Sequence, residues 1–193
     1  MLTHPFKPRI PKKATKLLVG TLPPDEVQFY FSNSSNTRLW DILTAIKNGD
    51  NYVGSGGNNL SGEEKVEILK ELKIGICDII YTYERDEFHS TKDIHINPKS
   101  YNDLVKLALD NNIEELLFVY QSALKWFIHS LKKIEPIRLK QIGVKYKVGR
   151  QEEINIQGKI IKSTLLPSPL SRGRKDETLA FKLRTYRKFI LEE

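Results

Sequence analysis

Cysteine is almost absent from this chain of 193 residues, which contains Cys77 alone. A single cysteine excludes an intramolecular disulfide, and it also excludes a zinc site built from cysteines. Cys77 stands in the apolar run 74–80, and cysteine is among the residue types most often buried, so we expect it in the core. The four histidines are not spaced as metal ligands are, and we therefore predict no metal site.

Long hydrophobic runs are missing as well. The longest apolar stretch, at 116–120, is far below the roughly 18 consecutive apolar residues that a membrane-spanning helix needs. Residues 1–16 are basic, contain three prolines and lack the apolar centre of a secretory signal. We therefore expect a cytoplasmic protein that has no membrane partner.

The overall composition is typical of a globular protein. Hydrophobic residues make up 39% of the chain and charged residues 28%, with 11 glycines and 9 prolines. These proportions exclude the disordered, fibrous and low-complexity classes. A chain of this length is expected to fold as a single domain, 1–193, with a sizeable core.

Positive charge is concentrated at the two ends of the chain. The formal net charge is +7, yet residues 1–16 and 159–193 together carry +10 and the middle carries −3. Another basic run, at 132–150, has seven lysines and arginines and one acidic residue. Such clusters are typical of proteins that bind a polyanion such as DNA or RNA. The other interpretation is a solvated basic surface.

Apolar runs and helical spacings alternate along the sequence. Strands are predicted at 16–20, 74–81, 116–120 and 159–165, and helices at 38–47, 62–72, 100–111, 122–131 and 177–191. Ser61 and Glu64 form a capping-box pattern at the start of the second helix. The alternation predicts an α/β fold, a three-layer sandwich with a short, largely parallel central sheet of about four strands flanked by helices.

Polar or proline-rich segments follow three of the predicted strands, at 20–36, 81–93 and 166–174. Ligands of α/β folds bind at the carboxyl ends of parallel strands, so we expect these segments to converge on one cleft. The glycine-rich segment 54–59 is not followed by the lysine of a phosphate-binding loop, and it is predicted to be a flexible loop.

Three sequence signatures occur in the order that a known family shows. His4-Pro5-Phe6 precedes a Leu-Leu-Val-Gly-Thr-Leu-Pro segment at 17–23, and a segment at 30–40 follows that begins with Tyr30-Phe31, contains Asn36 and ends with Leu39-Trp40. A Gly-Ile-Cys-Asp segment follows at 75–78, and Pro-Ser-Pro-Leu-Ser stands at 167–171. In these segments the chain resembles the uracil-DNA glycosylase superfamily, most closely its hypoxanthine-DNA glycosylase and mismatch-specific branch.

The resemblance implies a monofunctional DNA glycosylase of base excision repair that uses no cofactor. Such an enzyme flips a damaged or deaminated base out of DNA before it hydrolyses the N-glycosidic bond, because the bond is inaccessible inside the duplex. The expected partner is DNA, as a damaged or mismatched duplex or as a single strand, and the protein is expected to be a monomer, nucleoid-associated in a prokaryote. The alternative is a nucleic-acid-binding protein that retains the fold without catalysis.

Two positions depart from the family's pattern. Leu22 stands where several branches carry a catalytic Asp or Asn, and Leu166 stands where uracil-specific members carry a histidine that stabilises the leaving base. The resemblance implies that Asn36 holds the attacking water if Arg38 is a one-residue insertion, with Asn33 as the residue of the other register. From the residues alone, Asn36 could equally cap the helix that follows it.

The resemblance also implies a base-binding pocket formed by Thr21, Leu22, Phe31 and Asp78. One aromatic side chain of the segment 29–31 is expected to stack on the extruded base, an interaction worth roughly 1–3 kcal/mol. The other two are expected to pack in the core. Asp78 could read an edge of the base, or it could remain buried against Arg85.

The late loop is expected to contact DNA. Its candidate residues are Pro167, Ser168, Leu170, Ser171, Arg172 and Arg174. Leu170 resembles an apolar wedge that fills the space left by a flipped nucleotide, and the other interpretation is a leucine packed in the core. The two serines and two arginines suit phosphate contacts, although the serines could instead cap the last helix.

Overall fold

A computed structural model of the chain describes residues 1–23, 27–31, 36–86, 95–134, 147–156, 158–171 and 177–192. Within these ranges the chain forms eight β-strands, which pair in two sheets, and five α-helices. None of the helices so described is long and apolar enough to cross a membrane.

The central sheet has five strands. In sheet order they are β3 (Ile74–Asp78), β2 (Lys16–Gly20), β6 (Glu115–Phe118), β8 (Lys159–Leu165) and β7 (Gln151–Ile156). The first four run parallel to one another, and β7 pairs antiparallel with β8 at the edge. The predicted parallel sheet of about four strands is therefore confirmed, and β7 adds a fifth strand that the sequence patterns did not predict.

Side chains of the central sheet alternate between two apolar layers. Leu17 and Val19 of β2 belong to one hydrophobic cluster, whereas Leu18 belongs to the other. Helices that contribute to the first cluster are α3 (Leu104–Asp110) and α4 (Gln121–Ile134), and those that contribute to the second are α1 (Leu39–Asn48), α2 (Gly62–Glu71) and α5 (Leu179–Leu191). A parallel sheet needs helices on both faces. The structure confirms the predicted three-layer α/β sandwich.

Side-chain caps determine where α2 and α5 begin. Ser61 Oγ accepts the N–H of Glu64 at 3.2 Å, and the Glu64 carboxylate accepts the N–H of Ser61 at 2.7 Å, so the predicted capping box of α2 is confirmed. Thr178 Oγ1 accepts the N–H of Phe181 at 3.2 Å and caps α5.

A second sheet, which is antiparallel, begins where β3 ends. Its strands are β1 (Leu2–Thr3), β4 (Ile80–Arg85) and β5 (Ile96–Tyr101), in the order β1-β4-β5. The prediction of one continuous strand at 74–81 is wrong, because the chain leaves the central sheet at Ile79. The N–H of Ile79 donates to the carbonyl of Gly20 at 3.0 Å, and β4 then pairs with β1 and β5.

The helix predicted at 100–111 also begins later than expected. Ser100 and Tyr101 pair with β4, and the helix starts at Leu104 after Asp103, which accepts the N–H of Lys106 at 2.9 Å. Strand pairing with a segment distant in sequence therefore overrides the helical periodicity of this segment.

Candidate functional site

The carboxyl ends of β2 and β3 lie side by side and form the floor of the candidate site. Gly20 is in register with Asp78 at the last position of the two strands. A Cβ atom on residue 20 would lie 2.2 Å from Asp78 Oδ1 and 2.5 Å from Phe31 Cζ. Glycine at this position therefore allows a carboxylate and an aromatic ring to approach the same point.

Asp78 is 2% exposed and is paired with His4. His4 Nε2 lies 3.0 Å from Asp78 Oδ2, whereas Asp78 Oδ1 has no hydrogen-bond partner among the described residues. Burial raises the pKa of the Asp78 carboxyl, and the hydrogen bond from His4 opposes that rise. One carboxylate oxygen is thus held by His4, while the other is buried beside Gly20 and Phe31 without a hydrogen bond from any described residue.

The alternative in which Asp78 pairs with Arg85 is wrong. Arg85 lies over the ring of Tyr83, 5.5 Å from its centroid, and donates to the carbonyl of Pro23 at 3.5 Å. This contact brings the start of the segment 81–93 against the segment 20–36, as the predicted convergence requires.

Phe31 is the member of the aromatic segment 29–31 that reaches the floor. Phe29 and Tyr30 are buried in the second hydrophobic cluster, as expected for two of the three. Phe31 is half-buried, and its ring lies against Gly20 and 6.1 Å from the ring of Tyr120, measured between centroids. Its φ of 54° is uncommon for an aromatic residue, and strained backbone of this kind concentrates at functional sites.

Thr21 and Leu22, two other predicted pocket positions, follow directly after Gly20 in the chain. Thr21 is buried, and its carbonyl accepts the N–H of Ile80 at 3.4 Å. Leu22 is partly buried and packs against the first hydrophobic cluster. Leu166 lies in the second cluster, 1% exposed, and its N–H donates to the carbonyl of Phe118 at 2.8 Å. Leu22 and Leu166, the two leucines at which the sequence departs from the family's pattern, therefore both pack against apolar side chains.

The late loop pairs with the segment that contains Asn36. The N–H of Arg38 donates to the carbonyl of Pro169 at 2.7 Å, and the N–H of Ser171 donates to the carbonyl of Asn36 at 2.5 Å. Thr37 and Leu170 form the antiparallel bridge between these two bonds. The described parts of the segments 20–36 and 166–174 therefore meet, as predicted.

Asn36 is exposed in a turn beside this pairing. The interpretation of Asn36 as a helix cap is wrong, because Arg38 occupies the N-cap position of α1. The guanidinium of Arg38 binds the carboxylate of Asp41 and donates to the carbonyl of Gly54 at 2.6 Å, which anchors the segment from the other side. Asn33, the residue of the alternative register, lies outside the described residues.

Leu170 stands on the outer side of the late loop. It is 37% exposed, so the interpretation that it packs in the core is wrong. Ser168 Oγ accepts the N–H of Leu170 at 3.4 Å, and Ser171 is exposed. Neither serine caps α5, since Thr178 does so. Arg172 and Arg174 lie outside the described residues.

Two side chains of helix α5 hold the late loop, 166–171, in position. The sequence analysis did not predict this role. Lys182 Nζ donates to the carbonyl of Leu170 at 2.6 Å, and the Tyr186 hydroxyl donates to the carbonyl of the buried Pro167 at 3.0 Å. Lys182 is 1% exposed, and burial lowers its pKa. A signal was present, because Lys182 shares the spacing of four with the buried Tyr186 and Ile190 on one face of the helix.

No group of three or more His, Cys, Asp or Glu side chains in the described part of the chain could hold a metal ion. Cys77 is buried in the first hydrophobic cluster, as expected, and burial raises the pKa of its thiol.

The fold is similar to that of a solved structure. A solution NMR structure of a protein from Methanosarcina acetivorans, named a "putative Uracil DNA glycosylase", aligns with a TM-score of 0.63 and 17% sequence identity over 99% of each chain. No protein-family model and no curated protein matches the sequence. This similarity shows that the chain has the α/β sandwich fold of that protein.

Proposed function

We propose that the protein is a DNA glycosylase that flips a damaged or deaminated base out of DNA and hydrolyses its N-glycosidic bond. The observation that carries the proposal is the pairing of residues 36–38 with 169–171. It brings an exposed apolar side chain, Leu170, next to Asn36, which lies five residues along the chain from Phe31. The similarity of the fold to that of the M. acetivorans protein, which is named a putative uracil DNA glycosylase, supports the same proposal.

In the proposed reaction Leu170 enters the base stack and occupies the space that the flipped nucleotide leaves. The extruded base lies against the ring of Phe31 with an edge toward Asp78. The amide oxygen of Asn36 holds a water molecule close to the sugar carbon that loses the base. As the bond breaks, the sugar becomes an oxocarbenium-like cation beside the anionic phosphates, and the held water completes the hydrolysis.

This mechanism uses positioning and electrostatics rather than a covalent nucleophile. Leu22 and Leu166 offer no polar group to the water or to the leaving base. We therefore expect slower chemistry than in relatives that carry polar residues at both positions. The lack of an Asp or Asn at position 22 supports a place near the hypoxanthine branch of the family that the sequence resembles, because that branch also lacks one there.

A cleavage assay for abasic sites tests the proposal. End-labelled duplexes that contain uracil, hypoxanthine, xanthine or a thymine mismatch are incubated with the protein, and abasic sites are then cleaved with alkali. We expect strand cleavage on at least one deaminated base and none on the undamaged duplex. Absence of cleavage on every duplex and on the matching single strands contradicts a glycosylase.

A second candidate function is a DNA-binding protein without catalysis, which the burial of Leu166 in the second cluster favours. It predicts binding of the same duplexes with no abasic product. Gel-shift titration beside the cleavage assay therefore separates the two functions.

A further inference from the structure

The glycine-rich segment 54–59 is attached to the start of α1. The Gly57 N–H donates to Asp41 Oδ1 at 2.7 Å, and Asn58 Nδ2 donates to the carbonyl of Thr37 at 2.9 Å. The segment for which the sequence predicts a flexible loop is therefore hydrogen-bonded to the part of the chain that precedes and begins this helix.

Glycine at position 57 allows the segment to approach α1 closely. Gly57 is buried, and a Cβ atom on this residue would lie 2.5 Å from the nitrogen of Asp41 and 2.5 Å from the carbonyl carbon of Trp40. Both atoms belong to the backbone of α1, so neither can rotate away as the end of a side chain can. A larger residue at position 57 would therefore push the segment away from Asp41.

Asp41 is the side chain that makes this attachment. It is 6% exposed and occupies the third position of α1, where a carboxylate can accept the N–H of the N-cap residue. The N-cap residue is Arg38, whose N–H donates instead to the carbonyl of Pro169 in the late loop. The carboxylate of Asp41 binds the guanidinium of Arg38 through Oδ2 and the N–H of Gly57 through Oδ1. Both oxygens of a buried charge thus have partners, which offsets the cost of burying it.

Residues 36–38 are consequently held from two sides. On one side the late loop forms two backbone hydrogen bonds with them. On the other side Asn58 binds the carbonyl of Thr37, and Lys65 Nζ donates to the carbonyl of Asn58 at 3.1 Å, which ties the segment 54–59 to α2. A bridge of two hydrogen bonds opens easily when nothing else supports it, so the second attachment is needed to keep these residues in place.

We propose that Asp41 is a positioning residue, which holds the segment 54–59 against α1 and thereby keeps Asn36 and Leu170 in a fixed relation to each other. This role rests on the proposed function, in which Asn36 acts on the sugar while Leu170 enters the base stack. Both side chains must be placed relative to the same nucleotide, and a misplacement of about 1 Å can lower a rate by roughly 100-fold. Asp41 itself contacts neither the base nor the sugar in this scheme.

Two variants disturb the attachment from opposite sides. Asp41→Ala removes the acceptor of the Gly57 N–H, whereas Gly57→Ala leaves the carboxylate in place and displaces the segment. Asp110→Ala is the control for the first variant, because Asp110 is an exposed aspartate at the end of α3. Gly62→Ala is the control for the second, since a Cβ atom there would make only an ordinary contact, at 3.8 Å from Phe29.

Amide hydrogen exchange of the full chain, followed by two-dimensional NMR, reports whether the attachment holds the two segments together. The informative amides are those of Arg38 and Ser171, which form the bridge to the late loop. The amide of Val119, whose hydrogen bond links β2 to the end of β6, is the internal reference. We expect both variants to lower protection of the two bridge amides at least about tenfold and to leave the reference amide nearly unchanged.

The two control variants should show wild-type protection at all three amides. A loss of protection that is equal at the bridge amides and at Val119 would show lower global stability, and it overturns the inference. Unchanged protection at Arg38 and Ser171 in either Asp41→Ala or Gly57→Ala overturns it as well.

Single-turnover excision from a mismatch or a single strand tests the consequence for the reaction, because these substrates depend least on the wedge. We expect both variants to lower the maximal rate at least about tenfold, while the dissociation constant for DNA stays within a few-fold of the wild-type value. A wild-type rate beside a selective loss of amide protection overturns the positioning role of Asp41.

The two measurements also separate this role from the proposed function. Absence of excision by the wild-type protein on every substrate rejects the proposed function, whereas a selective loss of amide protection still assigns Asp41 the role of holding the two segments together. Excision by the wild-type protein with unchanged protection in the variants retains the glycosylase and rejects that role.

Discussion

Asn36 occupies an exposed turn, where its backbone is fixed by the late loop and its side chain caps no helix. We predict that Asn36→Ala lowers the single-turnover rate of base excision by at least 100-fold, while DNA binding changes only a few-fold. A side chain that positions water contributes to the transition state and little to ground-state binding. Rapid-quench assays and gel shifts measure the two quantities.

Asn48→Ala is the matched control for this variant, because Asn48 is an exposed asparagine at the far end of α1. If Asn36→Ala retains the wild-type rate and Asn33→Ala removes it, the register across Arg38 is wrong. If neither asparagine affects excision of any base, the water-positioning role is rejected at both positions.

Leu170 is exposed, and its backbone, not its side chain, is what binds the loop to the rest of the protein. We predict that Leu170→Ala slows excision from a well-paired duplex at least tenfold more than excision from a mismatch or a single strand. The wedge offsets unstacking, which costs a few kcal/mol and costs least where the base is unpaired. The melting temperature should remain within about 2 °C of the wild-type value, since Leu170 belongs to neither hydrophobic cluster.

Leu191→Ala, which truncates an exposed leucine of α5, is the control for Leu170→Ala. A strongly lowered melting temperature together with equal rate losses on all substrates would show that Leu170 acts in stability. A truncated buried leucine typically costs roughly 2–5 kcal/mol.

Asp78 should lower the stability of the folded protein at neutral pH. Burial raises the pKa of its carboxyl in the folded state, so its contribution to stability is greatest at acid pH and is lost as the pH rises through the folded-state pKa. Asparagine can still accept from His4 and carries no charge. We predict that Asp78→Asn raises the free energy of unfolding at pH 7 by about 1 kcal/mol, or Tm by about 2–4 °C.

Thermal denaturation across pH checks this prediction, with the exposed Asp110→Asn as the control. The gain should shrink as the pH is lowered toward the range in which carboxyl groups are neutral. A lower Tm for Asp78→Asn than for the wild-type protein at pH 7 would contradict the predicted gain in stability. A stabilising change that weakens binding of the extruded base is the pattern expected where a protein keeps a costly group for function.

At the scale of elements, α5 is the support on which the late loop depends. We predict that Lys182→Met reproduces the phenotype of Leu170→Ala, with duplex excision impaired at least fivefold more than single-strand excision. Methionine retains the stem of the side chain in the buried stripe but cannot donate to the carbonyl of Leu170. Measurements of rate on duplex and single strand, beside Tm, determine whether loop position or stability has changed.

Lys188→Met, at an exposed position of the same helix, is the control. Equal rate losses on duplex and single strand in Lys182→Met would refute the support role of α5. A ratio of duplex to single-strand excision rates that equals the wild-type ratio would refute it as well.

Elements with a strong apolar signal could be predicted from the sequence, and those defined by pairing could not. The buried runs of β2, β6 and β8 identified the parallel sheet. The strand β5 contains Pro98 and Lys99 and forms because β4 lies beside it. The Asp78 pair was missed for the same reason, since His4 is 74 residues away in sequence. In the candidate site, the order of the motifs indicated Asp78, Phe31 and Leu170. The residues that contact them could be identified only from the folded structure.

At the scale of the whole molecule, the two basic ends of the chain carry the charge that a polyanion would meet. We predict that DNA binding is largely electrostatic, with log K falling by about 0.9 per neutralised phosphate for each tenfold rise in salt. Fluorescence anisotropy between about 50 and 300 mM salt, a range in which the Debye length is on the order of 10 Å, measures the slope. A flat salt dependence contradicts the prediction. Most of the basic run 132–150 lies outside the described residues.

If the protein is the glycosylase proposed above, the burial of Leu166 restricts how its substrate range could change during evolution. The family that the sequence resembles carries a base-stabilising histidine at this position in its uracil-specific members, whereas here the side chain belongs to the packed layer beneath α1 and α5. A single change to histidine would insert an ionisable ring among apolar neighbours and would lower the stability of the fold. A lineage could therefore acquire that group only after neighbouring positions had repacked. Under the proposed function, a histidine at position 166 therefore requires a series of coordinated substitutions rather than one mutational step.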